Sequence, residues 1–404
     1  MSESEPRAAV PTAAASGPTP SDASRRAPIG AVERLSTRIA FFIAGLAMAA
    51  WAPLVPYAKA RTGVDDGTLG LLLLALGAGS LVTMPLTGAI AGRYGCRRVI
   101  LFASAVVCAT LPLLAHFSDV QSMALTLFVF GAAIGTIDVA INIQAVIVEK
   151  ASGRALMSGF HGFFSVGGIA GAGLVSAMLW WQVTPLNAAL SVAVLLALLM
   201  LFGGRGLLRY GDDSHGGGSM FVLPHGIVIL LGALCFIVFL AEGAMLDWSA
   251  LLLVSQRAVD ASVAGIGYAV FAAAMTIGRF NGDRIVQRFG PRPILAVGGA
   301  CAAAGFLLAA LVPSATATLI GFALVGFGCS NIVPVLFTAA GNQKAMPSGP
   351  AISAISTLGY AGILTGPAGI GWIAKISSLP LAFVVLGLAL IAVAASARIV
   401  AAKR

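Results

Sequence analysis

Charge is scarce in this chain: 24 Lys and Arg and 15 Asp and Glu make up only 10% of 404 residues, where soluble globular domains carry about a quarter. That deficit excludes an ordinary soluble domain. Histidine is scarcer still, with four, and neither an HExxH pair nor a GxxxxGK[ST] loop occurs. The chain therefore lacks the ligand spacing of a zinc enzyme and the phosphate cradle of an ATPase. The five cysteines, Cys96, Cys108, Cys235, Cys301 and Cys329, are odd in number and lie mostly within apolar runs. They read as small packing residues, which excludes a disulfide scaffold. Residues 1–36 (with AAVPTAAASGPTPSDAS) have too few large apolar groups to offset the entropy of ordering, so a disordered tail is expected. No apolar region precedes Arg38, so no cleaved signal peptide is expected.

What the chain does have is apolar length: 59% of its residues are hydrophobic and its mean hydropathy is +0.97. Twelve apolar runs stand out, at 39–58, 69–91, 99–117, 122–147, 157–180, 185–203, 224–250, 261–281, 294–312, 316–340, 350–374 and 379–397. Each can cross about 30 Å of hydrocarbon as a helix. The runs are continuous and do not alternate at period two, which excludes a β-barrel. The expected fold is an all-α integral membrane protein of twelve transmembrane helices. Placing both termini in the cytoplasm puts twenty basic residues on that side and four, Lys59, Arg61, Arg257 and Lys375, on the other, the asymmetry of the positive-inside rule. The net charge of +9 is spread over short clusters between the runs, so it speaks for membrane orientation and not for nucleic acid.

The chain also repeats itself. The polar stretch RGLLRYGDDSHGGGS at 205–219 splits it into a first half at 37–203 and a second at 224–404, with 204–223 as a cytoplasmic linker. Trp51 precedes Gly70 by 19 residues, as Trp248 precedes Gly267; GRYGCRRVIL (92–101) answers QRFGPRPIL (287–295); Glu149-Lys150 answers Gln343-Lys344. Offsets of 194 to 197 throughout indicate two parallel six-helix bundles.

The segment GAIAGRYGCRR (88–98) resembles the signature loop of the major facilitator superfamily, and twelve helices with a central loop extend the resemblance over nearly the whole chain. Gly92 stands where the family has an acidic residue and Gln287 stands at the matching place, leaving Asp283 as a possible substitute. The segments at 138–168 (DVAINIQAVIVEKASGRALMSGFHGFFSVGG) and 242–249 (EGAMLDWS) resemble a bacterial branch that includes a rhizopine-region membrane protein related to sugar and fucose permeases. The resemblance implies a secondary transporter of the bacterial inner (plasma) membrane.

Asp138 is the leading candidate for chemistry, because a carboxylate near the bilayer midplane is costly unless paired, hydrated or protonated. Asn142 lies one turn away, and in a simple hairpin with the fifth helix Asp138 falls level with Ser165 and Asn142 level with His161. This ladder reads either as a proton or substrate site or as a polar clamp between helices; the family resemblance favours protonation of Asp138. Glu242 lies in the outer half of helix seven, free to line the cavity or to pair with a basic group such as Arg257; Asp247 belongs to the interface. Asn331 and Pro334 form a kink or polar point opposite Asp138. Tyr360 and the helix-eleven hydroxyls Ser353, Ser356 and Thr357 offer contacts to a polyol or simple packing. Trp51 near the outer end of helix one either stacks on a sugar ring or anchors the interface. Gly88, Arg93, Gly95, Arg97, Arg98, Arg279, Asp283, Arg284, Arg288 and Gly290 are expected to gate the cytoplasmic side, with Arg279 and Asp283 paired four residues apart.

The expected function is alternating-access transport of a small polar solute, sugar-like or cyclitol-like, by proton symport. Efflux of a drug or amphipathic metabolite is the alternative, and a non-transporting receptor or assembly factor the reading from another class. An enzyme is not expected, nor any cofactor, metal or nucleic acid. The partners are the lipid bilayer, the solute and protons, and one chain holds both halves of a pathway, so a monomer is expected.

Overall fold

In a computed structural model, the structure describes residues 29–211, 222–260 and 263–401, without the side chains of 66 and 67. Most of the expected tail, the Gly-rich middle of the linker and the last three residues lie outside that range. The first span begins with α1 (Ala31–Ala50), six residues inside the expected tail, and continues through a 3-10 turn at Ala52–Leu54 into α2 (Val55–Thr62). Pro53 and Pro56, which cannot donate into a helical ladder, sit at that break. Spans two to six are α3 (Asp66–Tyr94), α4 (Cys96–His116), α5 (Val120–Ser152), α6 (Met157–Trp180) and α7 (Pro185–Gly203). Spans seven to nine are α8 (Ile227–Arg257), α9 (Ile266–Phe289) and α10 (Pro291–Leu311). The tenth is broken into α11 (Ala315–Cys329) and α12 (Ile332–Asn342), and α13 (Ser348–Ile376) and α14 (Leu379–Val400) complete the set of twelve.

Ten of the spans are long and apolar enough to cross a membrane, whereas α9 and α13 are of spanning length but fall outside that set. The hydropathy they lose is carried by Arg279 and Asp283 on α9 and by Ser353, Ser356, Thr357 and Tyr360 on α13. Polar groups at that depth must face protein or water rather than lipid, so the two least apolar spans are the ones to follow inward.

The repeat read from the residues is visible in the packing. Within the first half α3 packs on α5, α1 on α6 and α4 on α7; within the second α9 packs on α11, α8 on α13 and α10 on α14. Across the halves α3 packs on α13 and α6 on α9, two contacts that exchange under the same twofold relation. The corresponding joints Gly95 and Gly290 both have positive φ, +82° and +77°, a conformation that favours glycine.

The two ends of the bundle differ in how helices are capped. Away from the basic loops, Asp65, Asp119, Thr184, Ser314 and Ser378 cap α3, α5, α7, α11 and α14 with their own side chains. Donation by Ser122 N–H holds the exposed Asp119 carboxyl below its ordinary range. At the basic end α6 has no such local cap. Its first amides are taken up from elsewhere: Glu149 Oε2 accepts from Leu156 and Met157, both at 2.8 Å, and Asp283 accepts from Ser158 at 2.9 Å and Gly159 at 3.0 Å. The helix dipole favours carboxylates at this terminus.

The first part of the expected linker is docked. Gly206 N–H donates to Ser36 Oγ, Leu208 N–H to Gln144 Oε1, and Arg97 N–H to Leu208 O, so that Leu207 and Leu208 are buried against the first half.

Candidate functional site

Arg279 lies ten residues before the Phe289 end of α9, about 15 Å into the bundle by helical rise. Its side chain is 8% exposed. Nη1 donates to Ser165 Oγ of α6 at 2.7 Å, Nε donates to Ser330 O at 3.4 Å, and Nη2 stands 3.7 Å from Glu242 Oε1 of α8. The guanidinium thus joins the two halves at depth, which corrects its expected place in a cytoplasmic gating loop. The expected Arg279–Asp283 pair does not form, because one turn of helix leads Asp283 to the α6 terminus and Arg279 into the bundle. Glu242 has Arg279 and not Arg257 as its partner; Arg257 donates to Thr318 Oγ1 and to the Ala309 and Ala310 carbonyls.

The acceptor at Ser330 is built by a proline. Pro334 has no N–H to give to the carbonyl four residues back, so Ser330 O stays open between α11 and α12 and takes Arg279. Asn331 holds the same break, donating to Gly278 O at 3.0 Å and to Ser330 Oγ at 2.9 Å, while its own Oδ1 is buried without a partner. The expected kink on the tenth span is therefore a full interruption.

Asp138 of α5 faces the other half. Its carboxylate is opposite the Ser356 hydroxyl, and Tyr360, one turn further along α13, faces both Asp138 and Ser80 of α3. Ser353 Oγ and Ser356 Oγ are buried and make no hydrogen bond of good geometry, so this wall has unused polar capacity. Cys235 of α8 lies near both Asp138 and Glu242.

The ladder expected between the fourth and fifth spans is not formed, since α5 and α6 barely touch: α6 packs instead on α1 and α9. Asn142 Nδ2 folds back to Asp138 O at 2.9 Å. Ser165 serves Arg279. His161 is buried between Phe41 and Phe337, with ring centroids at 5.1 and 5.7 Å, and its Nδ1 lies 3.0 Å from Met157 O. Trp51 is 5% exposed, so its ring has no face free for stacking in this conformation, and its Nε1 is unpartnered.

At the basic end the halves meet closely. Besides the Asp283 contacts, Glu149 Oε1 accepts from Thr338 at 2.6 Å and Lys150 Nζ donates to Gly341 O. Gly88, which corresponds to Asp283 in the repeat, lets the α3 backbone approach Gly349 and Ser353 of α13. Arg93, Arg98, Arg284 and Arg288 are exposed, with Arg93 over Tyr94 and Arg288 over Phe289 at 5.4 and 5.3 Å, and Arg97 is half-buried. Glu149, Thr338, Gln144 and Ser330 were not singled out from the residues alone; for Ser330 the signal was present in Pro334, four residues on. Among the described residues no group of three or more His, Cys, Asp or Glu could hold a metal ion.

This arrangement, two repeated six-helix halves meeting along a polar seam, has relatives. The family model of the Major Facilitator Superfamily matches residues 38–348. The chain belongs to the major facilitator superfamily. It is a multi-pass membrane transporter of that family and not an enzyme. It is 58% identical over 371 residues to an uncharacterized MFS-type transporter of Yersinia pestis, covering 92% of this chain and 96% of that protein. Membrane protein MosC of Rhizobium meliloti is 33% identical over 367 residues, 88% of this chain and 89% of its own. In fold the chain is similar to a crystal structure of the E. coli fucose:proton symporter FucP, with a TM-score of 0.78, 16% identity, and coverage of 92% and 99%.

Proposed function

We propose that this transporter is a proton-coupled symporter of a small polar organic solute, with the first six spans and the last six, from Ile227, rocking about the seam that holds Asp138, Glu242 and Arg279. The observation that carries the reading is Asp138: a carboxylate on a spanning helix, aimed across the seam at buried hydroxyls of α13 that have no other partner. A group so placed alternates between hydrated and occluded surroundings as the halves rock, which is what a proton carrier requires. That FucP is named a fucose:proton symporter agrees with it, as do the hydroxyl-rich α13 and a sugar-like or cyclitol-like cargo.

The protein resides in the bacterial inner membrane as a monomer with both termini in the cytoplasm, the positive-inside arrangement. The basic end is then cytoplasmic, and there Asp283, Glu149 and Lys150 tie the two halves together. The test is uptake into proteoliposomes under an imposed inward proton gradient, with Asp138→Asn beside the natural chain. Acid-driven uptake lost in the variant is expected. Uptake that keeps its full dependence on the gradient in Asp138→Asn would overturn the proton role, and gradient-driven extrusion of amphipathic dyes without uptake of polar solutes would replace symport by efflux.

A further inference from the structure

The reading above leaves a buried cation unexplained. A neutral sugar or cyclitol calls for hydroxyl partners, which α13 supplies; it does not call for a guanidinium at the seam. Among the described residues the hydrogen bonds of Arg279 come from Nε and Nη1 alone, and Nη2 has only the 3.7 Å approach of Glu242. That distance is too long for a hydrogen bond, and Glu242 Oε1 is itself buried without a donor. Arginine forks normally engage carboxylates through two parallel bonds near 2.8 Å. Here Nε and Nη1 are held by Ser330 and Ser165, one in each half, and Nη2, the nitrogen common to both edges of the guanidinium, is loosely screened by a carboxylate that gains no hydrogen bond from it.

Around the pair stand Cys235 on α8, Tyr268 on α9 and Cys329 on α11 near Glu242, and His161 on α6 near Arg279, with Asp138 also near Cys235 and Asp247 near Tyr268. The Glu242 side chain keeps 19% of its surface exposed against 8% for Arg279, so the pair is not sealed on the Glu242 side. An anion reaching the pair meets a guanidinium whose Nη2 protons are uncommitted and whose resident carboxylate is poorly bound.

We propose that Arg279 binds an acidic group, a carboxylate, on the transported solute, and that Glu242 holds its place in the empty carrier. This rests on the symport reading and sharpens its cargo from a neutral polyol to a polyhydroxylated acid: the acid group on Arg279, the hydroxyls toward Ser353, Ser356 and Tyr360. The two members of the pair then have opposite effects. Removing Arg279 deletes the anchor, whereas neutralising Glu242 removes the competitor. A purely structural ion pair loses equally from either side.

The experiment uses the purified full-length chain in liposomes under an inward proton gradient. The probes are the acidic and the neutral fractions of a bacterial small-molecule extract, supplemented with D-gluconate and its uncharged counterpart D-sorbitol, and accumulated solutes are read by mass spectrometry. Accumulated solutes are expected to carry a carboxylate. For the best of them, Arg279→Gln should raise KM about 10- to 100-fold, the loss of a charge-assisted hydrogen-bond pair, Arg279→Lys should recover part of the affinity, and Glu242→Gln should lower KM. Each variant is first checked for a monodisperse peak and a thermal midpoint close to that of the natural chain, and one that fails this check is replaced by Ser165→Ala, which loosens the same guanidinium. Accumulation confined to neutral solutes, or equal losses in Arg279→Gln and Glu242→Gln, would overturn the anion site and leave symport standing. If no solute of either fraction accumulates, the symport reading falls, and the anion site with it.

Discussion

Pro334 and Arg279 are 55 positions apart and act as one device. The proline removes the donor that would have occupied Ser330 O, and the freed carbonyl receives the Nε proton of Arg279. Replacing Pro334 by Ala restores a competing N–H and lets α11 run on into α12. Uptake is then expected to slow by about three- to tenfold, the value of one ordinary hydrogen bond of about 1 kcal/mol, as befits a contact of 3.4 Å, with folding intact; the initial rate in proteoliposomes beside a thermal melt measures it. The same scale explains which candidate roles were legible. Asp138, Glu242 and Asn331 stand out in the residues because polar groups are rare in apolar runs. Arg279 was misplaced because it shares α9 with Asp283, Arg284 and Arg288, and a cluster of charges near a helix end reads as a loop until helical rise is counted from Phe289.

Between elements, the seams are made by backbone approach rather than by large side chains. Gly131 on α5 lies against the α3 backbone at Leu76, and a Cβ there would collide with it, whereas Gly173 on α6 has nothing within 4 Å. Small residues at such crossings are how membrane helices reach one another. Gly131→Leu is expected to destabilise the protein by about 1–3 kcal/mol through overpacking, and Gly173→Leu to leave the melting temperature unchanged; a matched pair of thermal unfolding curves in one detergent tests both. Both glycines belong to runs whose spacing is readable as packing. Only the azimuth of each helix tells that one faces a neighbour and the other faces open space.

For the whole molecule, closure at the basic end depends on two carboxylates that share the terminus of one helix. Glu149 comes from the same half as α6 and Asp283 from the other, so separating the halves on that side costs α6 two of its four capping contacts. Asp283→Asn weakens the cross-half contact while leaving Glu149 in place. A cysteine placed at Thr338 should then react about tenfold faster with a membrane-impermeant maleimide from the cytoplasmic side, the population shift that about 1.4 kcal/mol produces. Equal reactivity in the two proteins would show that the latch lies elsewhere. The departure of the signature loop from its family pattern also acquires a physical meaning here: Asp283 supplies its carboxylate one turn before Gln287, and at the corresponding Gly88 the α3 backbone itself approaches the Gly349 backbone and the Ser353 hydroxyl.

The residues by themselves determined the class, the number of spans, the parallel repeat and the family, because each is a matter of local hydropathy against a uniform apolar solvent or of recurrence along one chain. They also give each carboxylate a position along its own helix, since that follows from counting residues. Tertiary structure alone decided the partners. Ser165 and Arg279 are separated by 114 residues and Ser158 and Asp283 by 125. Which of two polar groups at one depth meets a given charge depends on the rotation and tilt of whole helices. Those are set by close packing over every span at once, for which no short stretch of the chain carries the information.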